Sequence, residues 1–293
     1  MRITQNIIYH TYINDIMRRQ EDLFKLNLQL STGKKLNAPS DDPALTSKVI
    51  NSKALLTDIE QYQRNIDLGL DYLSTVERTL DSAKDVLSSI QETAVTEATG
   101  TADADSRKGA ALNITNLYNQ LVDLANTHDA NQYIFSGYKT DTPAFTTAGV
   151  YQGDANKFGI KISSGTTVTI GINGGEAFSG SAGGIDVFQT IQTLINDLNA
   201  NNAAGIKSAI TDLDTSFKQI SNAVSDIGGK VNWLKNSRTE YDSSKLDLQT
   251  QISGYEDADI TKVISELQLG QTALQAAMTS AGRTFNVNIF DYL

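Results

Sequence analysis

The sequence predicts a mainly α-helical protein with a small β insertion, an elongated long-helix bundle or coiled coil. The first observation is a heptad stripe over about five repeats, apolar at alternating third and fourth positions except for one glycine. Its members are Ile59, Tyr62, Ile66, Gly69, Leu73, Val76, Leu80, Ala83, Leu87, Ile90 and Ala94. A second stripe of the same spacing runs through residues 206–255, and a segment rich in Gly, Ser and Thr lies between the two. We therefore expect the N- and C-terminal halves to pair as helices, with the β module at the tip.

Composition excludes several classes of function. The chain has 293 residues, a formal net charge of -10 and no cysteine. The acidic balance argues against nucleic acid as a partner and disfavours binding to an anionic membrane surface. Without cysteine, disulfides and thiolate metal sites are excluded. The first ten residues lack a continuous apolar region, and no run of 18 apolar residues occurs, so we predict neither a Sec signal peptide nor a membrane span.

Breaks in the pattern divide the chain into five predicted segments. An N-terminal helical assembly segment, residues 1–42, precedes the first half of a helical rod, residues 43–139. The β-rich insertion occupies residues 140–184, with alternating apolar residues typical of short strands. The second half of the rod covers residues 185–255, and a C-terminal helical assembly segment covers residues 256–293.

Local signals set the expected helix ends. A first helix over residues 4–30 ends at Gly33, a favourable residue just after a helix. Pro43, behind a pair of aspartates, suits the first position of the second helix. A third helix is expected from about residue 107 to residue 131. The last helix begins at Ile260, capped by Asp257 or Asp259.

Two acidic groups resemble ligand sites, and helix capping explains both. Asp41 and Asp42 suggest metal ligands or an acid–base pair, but no third ligand or histidine lies near them in the sequence. Glu256, Asp257 and Asp259 suggest calcium binding, but the segment lacks the glycine and the final glutamate of an EF-hand loop.

The remaining candidates for chemistry are weaker. His10 and His128 are the only histidines, and neither has a carboxylate or serine at the spacing of a catalytic triad. Residues 171–175 (GINGG) lack the Lys-Ser/Thr ending of a phosphate-binding loop, so we predict a turn there. The sequence therefore predicts no catalytic residue, no metal site and no cofactor.

The two ends of the chain carry apolar seams that predict an assembly interface. A single molecule has no partner helix beside each seam along its own sequence, so neighbouring copies are expected to cover them. The predicted interface residues are Ile13, Ile16, Leu23, Leu30, Ile260, Val263, Leu267 and Leu274. We expect Leu267→Asp to leave a soluble helical monomer that fails to assemble.

Several segments resemble a known family, the bacterial flagellins. Residues 30–44 (LSTGKKLNAPSDDPA) and 64–66 (RNI) are similar to the N-terminal blocks of that family. Residues 253–260 (SGYEDADI) and 267–281 are similar to its paired C-terminal helix. Within the family, the junction proteins between hook and filament are resembled most, through the segments YIFSG (133–137), YQGD (151–154) and NIFDYL (288–293).

The resemblance implies a structural, non-enzymatic subunit of the bacterial flagellum, extracellular and exported by the type III apparatus without a cleaved signal peptide. It implies a ring of copies between flagellin and a second hook-associated protein, and an export chaperone at the C-terminal helix. Three alternatives stay open. They are a short filament flagellin, a cytoplasmic coiled-coil adapter, and an enzyme or binding module carried by the insertion, whose only acids are Asp141, Asp154 and Glu176.

Overall fold

The computed structural model of this chain describes residues 5–100 and 102–286. Within them lie seven helices, namely α1 (Gln5–Thr32), α2 (Pro43–Glu97), α3 (Ala104–Ala125), α4 (Gly174–Ala177), α5 (Val187–Asn199), α6 (Ala203–Glu256) and α7 (Ile260–Asn286). The strands of the same range are β1 (His128–Asp129), β2 (Gln132–Tyr133), β3 (Gly159–Lys161) and β4 (Thr167–Thr169). The predicted fold class, mainly α with a small β module, is confirmed.

The chain folds as two compact units, and both long helices, α2 and α6, contribute residues to each. The terminal unit comprises the described residues of 1–58 and 243–293, and the central unit comprises residues 59–242, of which 101 is not described. These boundaries fall inside helices, whereas the five sequence segments end at breaks in the helical pattern. The five segments stay a prediction.

The heptad stripe of α2 forms the core of the central unit. From Ile66 to Ala94 its apolar members are 1% exposed or less. α2 pairs antiparallel with α6, because Tyr62 stacks on Tyr241 with ring centroids 5.9 Å apart, whereas Asp67, further along α2, pairs with the earlier residue Arg238 of α6. α3 packs on α5 beside them. Burial of one apolar face on each helix is thus what holds this unit together.

The β module packs on α2 and α6, which differs from the expected position at the tip. β3 and β4 pair antiparallel. The side-chain amide of Asn65 donates to the Lys161 carbonyl oxygen at 2.7 Å, and the Tyr241 hydroxyl donates to the Ile162 carbonyl oxygen. Where α2 ends, Arg107 instead donates to the Glu97 carbonyl oxygen at 3.0 Å. The module therefore lies beside the early part of α2 in this unit, and α3 closes the end where α2 stops.

Gly69 gives the physical reason for this position. It is the one member of the heptad stripe without an apolar side chain, and a Cβ built on it would lie 2.4 Å from Cδ1 of Ile160 in β3. The missing side chain therefore leaves the space that the hairpin fills. Asn65, one turn earlier, holds the neighbouring backbone.

The third helix is shorter than expected at its C-terminal end. It begins after Asp103, whose carboxylate accepts from the Ser106 amide at 2.7 Å, and it ends at Ala125 rather than at residue 131. Ala130 and Asn131 have φ values of 47° and 68° and form the turn between β1 and β2. A positive φ cannot continue a right-handed helix. The residues after Ala125, which were expected to extend the third helix, therefore form a hairpin.

The end of α1 and the start of α7 agree with the local signals. Gly33 follows α1 with a φ of 71°, and Asp259 accepts from the amide of Lys262 at 3.0 Å at the start of α7. α6 continues through Gly254, where a break was expected, to Glu256.

Residues 288–293, which carry part of the family resemblance, lie outside the described residues. In the described part, no helix combines the length and apolarity that a membrane crossing requires.

Candidate assembly surfaces

A cluster of two lysines and one glutamate joins distant segments of the terminal unit. The Glu256 residue is only 8% exposed, and its carboxylate forms ion pairs with Lys34 and, at 2.7 Å, with Lys53. The backbone is tied at the same place, since the Lys35 amide donates to the Glu256 carbonyl oxygen and the Ala258 amide donates to the Gly33 carbonyl oxygen. We call Lys34, Lys53 and Glu256 the clasp.

The clasp changes the acidity of its carboxylate. Hydrogen bonds from Lys34 and Lys53 lower the pKa of Glu256 below its usual value and outweigh the opposing effect of burial. A carboxylate with a depressed folded-state pKa stabilises the fold above its unfolded pKa. That stabilisation is lost as the pH falls through the folded-state value. The clasp is therefore fully formed at neutral pH.

The paired aspartates beside the clasp are structural, as the sequence indicated. The Asp41 carboxylate accepts from the amides of Asn37 and Ala38 at 2.9 and 2.8 Å, and these bonds lower its pKa. The Asp42 carboxylate accepts from the Leu45 amide at 2.9 Å in the first turn of α2. Across the described residues no group of three or more His, Cys, Asp or Glu is placed to hold a metal.

The predicted interface residues lie on α1 and α7, two helices that pack against each other within the chain. Ile13, Ile16, Leu23, Leu267 and Leu274 are half-buried, Val263 is 5% exposed, and Leu30 and Ile260 are exposed. A Cβ on Gly270 would lie 2.9 Å from Cδ2 of Leu23, so this glycine allows the close approach of the two helices. Six of the eight side chains are thus at least partly covered within one molecule.

α1 also carries a set of exposed apolar residues that the sequence analysis did not select. Met17, Phe24 and Leu28 are 61%, 68% and 38% exposed, and they follow one another at steps of seven and four residues. This spacing places them on one face of the helix. We call these three residues the outer face. The signal was in the sequence, but the stripe through Ile13 and Leu23 is also apolar, and spacing alone does not tell which stripe the chain covers itself.

The segments at residues 133–137 and 151–154 interlock in the central unit. The Asp154 amide donates to the Ser136 carbonyl oxygen at 3.1 Å, and the Tyr151 hydroxyl donates to the Phe135 carbonyl oxygen at 3.0 Å. Gly137 has a φ of 70° and leaves no room for a side chain, because a Cβ would lie 2.2 Å from Oδ1 of Asp154. These segments thus specify local structure and provide no chemical site.

The histidines and the glycine loop also show no reactive arrangement. His128 lies in β1, with its ring 5.9 Å from that of Tyr133, and His10 is exposed on α1. Asn173 caps the single-turn helix α4 through the Gly175 amide, which takes the place of the predicted turn.

Comparison with known proteins agrees with this architecture. The profile of the bacterial flagellin N-terminal helical region matches residues 3–140. Flagellar hook-associated protein 3 of Escherichia coli is 28% identical over 94% of this chain and 95% of its own length. Flagellin of Listeria monocytogenes is 23% identical over 91% of this chain and 90% of its own length.

Solved structures show the same fold. FlgL from Bacillus cereus superposes with a TM-score of 0.62 at 22% identity, covering 69% of this chain and 99% of that structure. The flagellar junction protein FlgL from Legionella pneumophila superposes with a TM-score of 0.62 at 17% identity, covering 72% of this chain and 100% of that structure.

Proposed function

We propose that this chain, a member of the bacterial flagellin family, is the structural subunit that joins hook and filament in the bacterial flagellum. The observation that carries the proposal is its similarity to flagellar hook-associated protein 3, which runs over 94% of the chain. The structure supports the role of a structural subunit, because the described residues form long paired helices and exposed apolar faces.

We infer that assembly uses the α1–α7 pair in two ways. The predicted interface residues that are buried or half-buried, among them Leu23, Val263 and Leu267, hold the two helices together, so their substitution disturbs the helix pair that neighbouring copies recognise. The outer face, in which Phe24 is the most exposed residue, is exposed to solvent in the single chain and becomes buried between copies. Burying one large apolar side chain contributes about 1.5–3 kcal/mol, enough for a few such contacts per subunit to favour association.

The proposed partners follow from this role. Copies of the chain form a ring, with flagellin on one side and a second hook-associated protein on the other, and an export chaperone binds the C-terminal helix before export. The proposed location is the extracellular flagellum, reached without a cleaved signal peptide. The role requires no enzymatic activity, no nucleic acid and no membrane insertion.

Electron microscopy of cells that express single variants tests the outer face. Phe24→Glu places a charge on an exposed position, so the purified chain should keep its helical circular dichroism. Cells with this variant should show hooks without filaments and release flagellin into the medium. Thr11→Glu adds the same charge at an exposed position on another face of α1 and should assemble normally. Leu267→Asp tests the inner contact and should also abolish assembly.

Two outcomes separate the parts of this proposal. Filaments at the wild-type level with Phe24→Glu would show that the outer face does not carry assembly. Normal filaments in cells that lack the chain altogether would refute the junction role.

A filament subunit is the second candidate, because the similarity to Listeria flagellin covers 91% of the chain. Purified chain that polymerises alone into long filaments would favour this candidate. A junction subunit should instead require a neighbouring component to nucleate it.

A further inference from the structure

Trp233 is an exposed aromatic side chain in the central unit that the proposed function has not used. It is the one tryptophan of the chain and is 48% exposed on α6. Tryptophan is among the residues most enriched at the energetic centres of protein interfaces. An exposed tryptophan on a regular helix therefore marks a candidate contact.

A notch lies next to it on the same helix. Gly229 precedes Trp233 by four residues, so the two lie on one face of α6, and a Cβ on Gly229 would meet nothing within 4 Å. Glycine destabilises a helix interior relative to alanine. The missing side chain leaves a notch one turn from Trp233, which a side chain of another molecule has room to enter.

The complementary surface is on α2. Leu68 is 68% exposed, and Arg64 lies one turn earlier on the same face. The Arg64 guanidinium donates to the neutral side chain of Gln61 at 2.7 Å, a bond that does not compensate its charge. An apolar side chain and a cation therefore stand side by side on this face.

The two surfaces are offset along the paired helices by one common amount. Nε of Arg238 in α6 is 3.3 Å from Oδ1 of Asp67 in α2, which fixes the register of the pair. At a rise of about 1.5 Å per residue, Leu68 and Gly229 differ by about 12 Å along the helix direction, and Arg64 and Trp233 differ by about 12 Å in the same direction. All four residues lie in the central unit, so this offset is a property of one compact body.

We propose that Leu68 and Arg64 of one copy pack on Trp233 and Gly229 of the next copy. The inference rests on the proposed function, because only an assembling chain has neighbouring copies. A ring requires two different patches that meet head to tail. Because both pairs share one offset, they meet at the same time in a ring whose subunits are tilted from the ring axis.

The contact is complementary in shape and charge. The Leu68 side chain enters the notch above Gly229, and the Arg64 guanidinium lies over the electron-rich face of the indole. Such a cation–π contact is strongest with tryptophan. This complementarity favours a second copy over a chemically unrelated partner.

Cross-linking in isolated flagella tests the contact, since the chain has no cysteine of its own. Cells co-express a tagged Leu68→Cys chain with an untagged Ser225→Cys chain, whose cysteine lies exposed one turn from Gly229 on α6, and are treated with a short bis-maleimide. We expect a heterodimer of one tagged and one untagged chain. Leu112→Cys replaces Leu68→Cys in the control, because Leu112 is 71% exposed on α3, and no heterodimer should form.

A pair of glycine variants gives a second readout. Gly229→Ala should raise the thermal unfolding midpoint of the free chain by a few degrees and yet increase the flagellin shed by cells several-fold. Gly228→Ala should raise the midpoint similarly and leave shedding unchanged, because it lies on another face of α6 and its Cβ also meets nothing within 4 Å.

The outcomes separate this contact from the proposed function. Flagella that contain both cysteine variants without a heterodimer overturn the contact and leave the junction role standing, as does unchanged shedding with Gly229→Ala. Absence of the wild-type chain from purified flagella overturns the junction role and the contact with it.

Discussion

Gly69 offers the sharpest test of how the β module is held. A Cβ at this position would lie 2.4 Å from Cδ1 of Ile160 and 3.3 Å from Cδ1 of Leu234. Alanine would meet mainly the flexible tip of Ile160, which can turn away. Leucine adds three more carbons to a space that β3 already fills, so Gly69→Leu is the decisive change.

The expected cost follows from two opposing terms. Overpacking a filled site typically costs about 1–3 kcal/mol. Replacing glycine by leucine in a helix returns less than about 1 kcal/mol. We therefore expect Gly69→Leu to lower the free energy of unfolding of the central unit by about 1–2 kcal/mol. Gly109→Leu, at an open helical position on α3, should instead raise it by about 0.5–1 kcal/mol.

The assay is urea unfolding followed by the fluorescence of Trp233, which lies in the same unit. Ile160→Ala removes the side chain that a new leucine would meet, so the double variant should be more stable than the sum of the two single effects by about 1 kcal/mol or more. Additivity within about 0.5 kcal/mol would show that Gly69 does not position the hairpin.

Three further changes test the helix ends and the clasp. Asp42→Ala should destabilise the first turn of α2 by about 1 kcal/mol, seen as faster amide exchange there, whereas unchanged exchange would contradict its capping role. Glu256→Gln should flatten the pH dependence of stability below the usual carboxyl pKa of 4.5, because the wild type loses the contribution of Glu256 as the pH falls through the lowered folded-state pKa. The urea midpoints of both proteins at pH 7 and pH 3 measure this difference. An equal fall of the urea midpoint in both proteins would count against the clasp. Arg107→Met should cost about 2–3 kcal/mol, since it removes the hydrogen bonds that Arg107 donates to the carbonyl oxygens of Glu97 and Thr99, and a smaller shift of the thermal midpoint than this cost requires would contradict the assignment.

Local sequence predicted most of the helical fold because its causes are local. Asp42 and Gly33 act within one turn of the helices that they bound, and the stripe of α2 requires only a regular period. The position of the β module depends on a contact between Asn65 and Lys161, which are 96 residues apart. The glycine in the stripe was visible, but its partner Ile160 was not, because nothing in the sequence near Gly69 identifies the strand that needs the space.

For the assembly surfaces too, the sequence predicted local features but not which segments contact each other. Periodicity identified apolar stripes at both ends of the chain, and the structure places Leu23 and Val263 on two helices that pack on each other. Periodicity did not identify Phe24, because an amphipathic pattern does not say whether a stripe is covered inside one molecule or between molecules. The ion pairs of Glu256 were hidden for another reason, since capping is a sufficient local explanation for an acid near a helix end.

The topology also orders the formation of the two units. Lys34 and Glu256 of the clasp are 222 residues apart, so closing that loop in an unfolded chain carries a large entropic cost. Once Tyr62 stacks on Tyr241, the loop that must close to bring Lys34 to Glu256 consists only of residues 34–62 and 241–256. Loop-closure entropy therefore favours a central unit that forms first and an α1–α7 pair that forms last. The α1–α7 pair, which carries the outer face, then forms on a folded central unit, and neighbouring copies that bind it add to its stability.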